Sequence, residues 1–418
     1  MIRTNRCTAA VLGFLLAAAA CENDQLNRPF STTPIDPLFD RYVSMGNSIT
    51  AGFQSGGILD STQKQSYAVL LAQAMHSPFY VPLLTSPGCP PPYTNVFTQT
   101  RYKRAGDTTT STATTCRLRS IPANPPPYIS NTAVPGAEVI DIYNNLAATS
   151  NANQLTQLFL GGLTQAQMMM RAKPTFVTVW IGNNDVLGAA TNSLNAGDSA
   201  LITPVATFQA NYGAVLDSIE TVNPRGVVLI GVANLVDAAD RSGLPPTQLP
   251  ANGVPFFAYG STYFTLDQLG QIPGPFVAGV GCAPPRGDSV LVPFPFGLNL
   301  INTGGTLNCT EPQTIQPAEL VNLHNTVIAY NQYISSQASA RNWVYFDPNL
   351  ALDSLRRVPT AVAAFPATTQ ACNANPPPFG TAFSCDAVHP SASTHRLIAK
   401  KLRDAINSAY GTEMPPIP

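Results

Sequence analysis

Four short runs, Arg41 to Met45, Thr175 to Ile181, Gly226 to Val232 and Trp343 to Phe346, are dense in β-branched or aromatic residues. Runs of this length and make-up predict buried strands. Between and after them, the segments Asn153 to Arg171, Thr203 to Thr221, Ala318 to Ala340 and Ser391 to Tyr410 repeat apolar residues at three- and four-residue spacing. That period predicts amphipathic helices, several of which stop at Pro or Asn-Pro. Alternation of strand and helix predicts a parallel α/β sheet covered on both faces.

Two stretches interrupt the alternation. Residues 77–131 contain Pro90-Pro91-Pro92, a Thr-rich run and Pro125-Pro126-Pro127, while residues 240–316 are rich in Gly and Pro with several aromatics. Long stretches of this kind inside a compact domain are usually functional or disordered. Since each carries cysteines, they read as ordered surface insertions forming the walls of a substrate cleft, or as decoration remote from the chemistry. At the N-terminus, Arg3 and Arg6 precede an apolar run from Ala9 to Ala20 that ends at Cys21. The run is too short to span a bilayer and reads as a signal peptide, residues 1–20. Leu16-Ala17-Ala18-Ala19-Ala20-Cys21 resembles a bacterial lipobox, with Ala18 where Leu is commoner. The reading is lipidation of Cys21, a tether over 21–36, a globular domain over 37–412 and a short tail over 413–418. A lipidated chain sits on a membrane without spanning it. Export to a bacterial cell envelope follows, at the outer membrane on its periplasmic or outer face. An ordinary secretory signal with an incidental Cys21 is the alternative.

Composition narrows the picture. Of 418 residues only 11% are charged and 39 are proline, against about 25% charged for average soluble proteins; this suits an exported, loop-rich protein. A formal net charge of -1 leaves no electrostatic footprint for nucleic acid, so none is expected as a partner. Setting Cys7 and Cys21 aside, six of the eight cysteines remain, in three sequence-local couples. Six cysteines allow fifteen connectivities; an oxidising compartment and one loop per couple favour Cys89 with Cys116, Cys282 with Cys309 and Cys372 with Cys385. No C-x-x-C pair and no histidine at ligand spacing accompany them, so no metal is expected.

Candidate chemistry begins at Ser48, in Gly46-Asn47-Ser48-Ile49-Thr50-Ala51-Gly52 directly after the first predicted strand. Open α/β sheets place ligands at the carboxyl ends of strands. Serine alone is a weak nucleophile and requires a base, itself oriented by a third group. Cys385-Asp386-Ala387-Val388-His389-Pro390 offers both, a carboxylate and an imidazole three residues apart at a helix start. Of the four histidines, only His389 has an acid three residues before it. His76, His324 and His395 read as surface or structural residues, and Met168-Met169-Met170 as a packing face.

With these residues in view, the chain resembles the SGNH (GDSL) hydrolases. Gly46 to Gly52 looks like that family's first block, Asn131-Thr132-Ala133-Val134-Pro135-Gly136-Ala137 like its glycine block, Trp180-Ile181-Gly182-Asn183-Asn184-Asp185 like its Gly-x-Asn-Asp block, and Asp386 with His389 like its last. Four blocks in order carry more than any one of them. The resemblance implies a three-layer α/β/α fold with a flavodoxin-like parallel sheet. It also implies a serine esterase or lipase, or a carbohydrate O-deacetylase, with Ser48, Asp386 and His389 catalytic. The oxyanion donors would be the backbone N–H of Ser48 and of Gly136 and the side-chain amide of Asn184. No cofactor is implied, and a monomer acting on a small-molecule or glycan ester is expected.

Three features complicate the match. Gly197-Asp198-Ser199 and Gly287-Asp288-Ser289 spell the family's namesake more faithfully, but neither follows the first strand, and both read as decoys. Asn47 replaces the usual Asp, and an amide reproduces a carboxylate's hydrogen bonds only in part. Taken alone, Ser48 could cap a helix, Gly136 could serve a turn, and Asn184 and Asp185 could begin a helix. A catalytically inactive surface binding lipoprotein on the same fold is the competing function.

Overall fold

The computed structural model describes residues 33–103, 126–234, 261–262, 276–279, 281, 292–358, 360–361, 367 and 369–418. Strands β1 (Tyr42–Gly46), β2 (Phe176–Trp180), β3 (Gly226–Ile230) and β4 (Val344–Phe346) pair in parallel in that order. Each lies within the apolar run that predicted it, apart from Gly46 at the end of β1. Every residue of β1, β2 and β3 is buried, the environment that selects continuous apolar runs over alternation. The register sets Gly46 beside Trp180 and Trp180 beside Ile230, so three carboxyl ends finish level. A further segment runs parallel along the free edge of β1: Ser44 N–H donates to Ser130 at 2.9 Å, and Thr132 N–H donates to Ser44 at 3.0 Å. That edge delivers residues 131–137 to the mouth of the sheet.

The principal helices are α1 (Tyr67–Met75), α2 (Gln154–Leu160), α3 (Gln165–Ala172), α4 (Asn184–Thr191), α5 (Val205–Glu220), α6 (Pro317–Ala340) and α7 (Ala392–Tyr410). Helices α1 and α7 pack together on one face of the sheet. There Tyr67 meets Trp180 at 5.3 Å and Tyr410 meets Phe176 at 5.7 Å between ring centroids. Helices α3, α5 and α6 make the other layer, with Phe208 stacked on Tyr330 at 3.6 Å. The result is a three-layer α/β/α fold. Burying each large side chain such as Trp180 or Phe208 contributes on the order of 2 kcal/mol, and the predicted strands and helices supply about half of the core, with other helices such as α1, the loops and the tail supplying the rest.

Several expectations change. The run Asn153 to Arg171 is two helices: Gly161 closes α2 in the left-handed conformation, and Thr164 opens α3 by accepting from Gln167 N–H at 3.1 Å. Helix α1 had no place in the sequence reading. Within 77–131 there is a hairpin of Tyr93–Asn95 with Thr100–Arg101, and within 240–316 a helix, Phe294–Thr303, and two short strand pairs. The short tail packs down, with Met414 and Ile417 buried. Cys372 and Cys385 form a disulfide. Cys89 and Cys309 are each disulfide-bonded; Cys116 and Cys282 lie outside the described residues, as do Cys21, the signal segment and Ser289.

Candidate active site

Where β1 ends, the chain turns at Gly46 into a single helical turn, Ser48–Ala51. A Cβ on Gly46 would stand 2.4 Å from Thr50 Oγ1 and 2.5 Å from the Trp180 carbonyl oxygen, so no side chain fits. The turn is held from outside as well. Gln165, fully inside the protein at the start of α3, accepts from Gly46 N–H at 2.9 Å and donates to the Gly46 carbonyl at 2.8 Å. Asn47 caps the helical turn, its Oδ1 accepting from Ile49 N–H at 3.1 Å. Asn thus supplies the acceptor a carboxylate would supply at an N-cap. The Asn47 Nδ2 has no partner among the described residues.

The turn presents Ser48 to the loop before α7. Ser48 Oγ lies 2.8 Å from His389 Nε2, and His389 Nδ1 lies 2.8 Å from Asp386 Oδ2. A carboxylate only accepts, so Nδ1 carries the proton and Nε2 is left to accept from the serine. Asp386 is crowded with donors. Its Oδ2 also takes Gly56 N–H at 2.6 Å, and its Oδ1 takes Val388 N–H at 3.0 Å, His389 N–H at 2.8 Å and the Ser384 hydroxyl at 3.0 Å. Burial alone would raise this carboxyl; the His389 imidazole and the backbone donors outweigh that and bring it down to about 2. Phe53 covers the imidazole at 4.8 Å between centroids. Ala387, between the two residues, holds a left-handed φ of 65°, a conformation a β-carbon resists and functional loops often retain.

The expected oxyanion donors gather on the β1 edge and at the end of β2. Gly136 adopts φ +86° and is exposed on the border of an open cleft, a backbone conformation a glycine takes at no steric cost. Neither Ser48 N–H nor Gly136 N–H has a protein acceptor among the described residues. Asn184, the first residue of α4, donates through Nδ2 to the Ala137 carbonyl at 2.8 Å; an amide nitrogen has a second hydrogen to offer. Ser48, Asn184 and His389 line one small pocket of about 10 Å³. Gly136 and Asn184 border a second, open cleft of about 450 Å³. These walls are the loops after β1, β2 and the β1 edge together with the His389 loop, and the two insertions supply none of the lining residues described.

Behind the Gly136 loop stand three carboxyls. Asp185 Oδ2 takes Val139 N–H at 3.1 Å, and Asp141 Oδ2 takes Glu138 N–H at 2.8 Å, so α4 and the loop hold each other. Burial, reinforced by the charge of Glu138, pushes Asp185 up to about 8; burial and Asp141 push Glu138 up to about 7. Elsewhere, Ser199 is exposed in a separate short helix, and no hydrogen bond joins it to a histidine among the described residues. His395 is wholly buried, accepting from Tyr67 N–H at 3.3 Å with Nε2 unpartnered, and burial lowers it to about 3. His76 ends α1, and Met169 is core. Gln165, Gly56 and Ser384 were not legible as site residues, because each meets its partner only through the fold. Among the described residues, no three His, Cys, Asp or Glu side chains stand together as a metal ion requires.

The family model for GDSL-like lipases and acylhydrolases matches residues 42–402. The chain belongs to the GDSL-like lipase/acylhydrolase family. Comparison with curated proteins finds none that matches. Among solved structures, the chain is similar to an acetylxylan esterase from Geobacillus stearothermophilus, at 12% identity over 90% of this chain and 95% of that one, with a TM-score of 0.39. It is also similar to LAE5, an alpha/beta hydrolase from the metagenome of Lake Arreo, Spain, at 12% identity over 89% and 95% of the two chains and the same TM-score of 0.39. Likenesses of this size say nothing about substrate. Membership of the GDSL-like family makes the protein an ester-hydrolysing enzyme.

Proposed function

We propose that this GDSL-like hydrolase works as a serine esterase through an acyl-enzyme on Ser48, on esters of short acyl chains. The observation that carries the reading is the unbroken relay from Asp386 Oδ2 to His389 to Ser48 Oγ, with both ring contacts at 2.8 Å. Ser48 Oγ attacks the ester carbonyl while His389 Nε2 takes its proton. The oxyanion is met by the N–H groups of Ser48 and Gly136 and by Asn184. His389 then gives the proton to the departing alkoxide, and water releases the acid by the reverse path. The pocket beside Ser48 and His389, about 10 Å³, has room for one water-sized group; this favours acetyl over a long acyl chain. Such an enzyme acts as an O-deacetylase or short-chain esterase.

Steady-state hydrolysis of p-nitrophenyl acetate tests the reading, together with labelling by a fluorophosphonate. Ser48→Ala is expected to abolish both, while Ser199→Ala keeps both. Activity that survives in Ser48→Ala removes Ser48 as nucleophile, and an unlabelled, inactive wild type favours the binding lipoprotein. A site at the envelope is part of the proposal, with Cys21 as the lipidated residue; metabolic labelling with palmitate is expected in the wild type and lost in Cys21→Ser.

A further inference from the structure

Beyond the oxyanion donors the open cleft of about 450 Å³ is bordered by Glu138, Asn151, Asn153 and Thr191, with Leu187 as its single large apolar side chain. A hydrocarbon chain laid there would cover polar groups without replacing their hydrogen bonds to water. The polar groups differ in what they have left to offer. Asn153 is occupied by the protein: its Oδ1 takes Leu155 N–H at 2.9 Å, and its Nδ2 donates to the carbonyls of Pro135 at 2.9 Å and Asn151 at 3.2 Å. It holds the loop that carries Gly136. Glu138 and Asn151 are joined by one bond only, Asn151 Nδ2 to Glu138 Oε1 at 2.7 Å. The second carboxyl oxygen, the second amide hydrogen and the amide oxygen remain for a ligand.

We infer that Glu138 and Asn151 form a hydroxyl-recognising pair that selects esters of polyols, a sugar being the natural case, over esters of simple alcohols. The inference rests on the Ser48 reading of the same site. Side by side, their side chains joined at 2.7 Å, a carboxyl and a carboxamide present acceptors and a donor to hydroxyls, each of which gives and takes bonds. Burial and Asp141 push Glu138 up to about 7, and both of its protonation states bond a hydroxyl. The small pocket at Ser48 then receives the acetyl group, and the cleft receives the sugar. Glu138 and Asn151 touch the alcohol part of the substrate and not the reacting atoms, so they act on selectivity.

The test compares 6-O-acetylglucose with hexyl acetate, which share an acetylated primary alcohol and differ in hydroxyls, with acetylcholine as a cationic arm. Wild type is expected to prefer acetylglucose in kcat/KM. Glu138→Ala and Asn151→Ala are each expected to lower the ratio of acetylglucose to hexyl acetate by about tenfold or more, with the loss in KM for the sugar ester. An unchanged ratio, a loss shared equally by both esters, or a wild type that prefers hexyl acetate or acetylcholine overturns the inference while leaving Ser48 in place. Turnover that persists in Ser48→Ala, or a wild type that hydrolyses none of the esters, overturns the Ser48 reading and this inference with it.

Discussion

Asp386→Asn is the substitution that most directly separates an orienting carboxylate from a merely buried one. The carboxylate meets five donors, two on Oδ2 and three on Oδ1. An amide turns one of those acceptors into a donor. With the nitrogen at the Oδ1 position it faces three N–H or O–H groups; with the nitrogen at the Oδ2 position it faces Gly56 N–H and the protonated His389 Nδ1. The second arrangement is relieved only if His389 moves its proton to Nε2, which then points a hydrogen at Ser48 and can no longer take one. A loss of about 10⁴ in kcat is the size seen when such a tautomer is lost. Stability falls too. The carboxyl moves from 3.8 to about 2 on folding, and about 1.4 kcal/mol per unit makes this roughly 2 kcal/mol. This contribution is fully present above pH about 4 and disappears as pH falls through the folded value of about 2. We predict that Asp386→Asn loses about three to four orders of magnitude in turnover of p-nitrophenyl acetate and about 2 kcal/mol or more in urea unfolding at pH 7. Turnover within tenfold of wild type would refute the orienting role, whatever happens to stability.

The remaining predictions concern the supports of the site. Asp185 and Glu138 are raised on folding from 3.8 and 4.5 to about 8 and about 7, so the folded state holds protons that the unfolded chain releases. Stability should therefore be greatest below pH about 4 from these groups and decline as pH rises toward 8, by up to about 1.4 kcal/mol per pH unit for the buried Asp185 and by less for Glu138, whose partial exposure screens it. Asp185→Asn, which can keep an acceptor for Val139 N–H, should flatten the profile of Tm against pH; an unaltered slope counts against a buried neutral Asp185. The disulfide Cys372–Cys385 closes a separation of 13 residues beside Asp386, and replacing both cysteines by serine should cost about 3 kcal/mol. The same double variant should lower kcat more than it raises KM, because Cys385 N–H is anchored to Ser55 Oγ at 3.0 Å in the loop that also donates Gly56 N–H to Asp386. A variant with unchanged Tm and kcat contradicts both parts.

Strand and helix identities could be read from the chain where a local period carried the signal. β1 to β4 lie in apolar runs because a strand buried on both faces admits little else, and α6 and α7 have the spacing that one packed face imposes. Helix α1 escaped for the opposite reason: Tyr67-Ala68-Val69-Leu70-Leu71-Ala72 is apolar almost all round, being buried against both the sheet and α7, and shows no clear polar face. The run Asn153 to Arg171 kept a helical period across a break made by the backbone at Gly161.

By itself, the sequence pointed to the family and the alternating α/β architecture and singled out Ser48, Asp386 and His389 as the candidate serine, acid and histidine, because each reading rests on residue type within a short window. The spatial meeting of those residues belongs to the tertiary structure alone. Ser48 and His389 are 341 positions apart and touch at 2.8 Å, since β1 and the α7 loop end on the same rim of the sheet. The Gln165 clamp on Gly46, the Gly56 donor to Asp386 and the pairing of Glu138 with Asn151 are likewise products of the fold. Their chemistry is ordinary Gln, Gly, Glu and Asn chemistry, which no local pattern marks. What selects them is burial and distance, and these are set only when the three layers close.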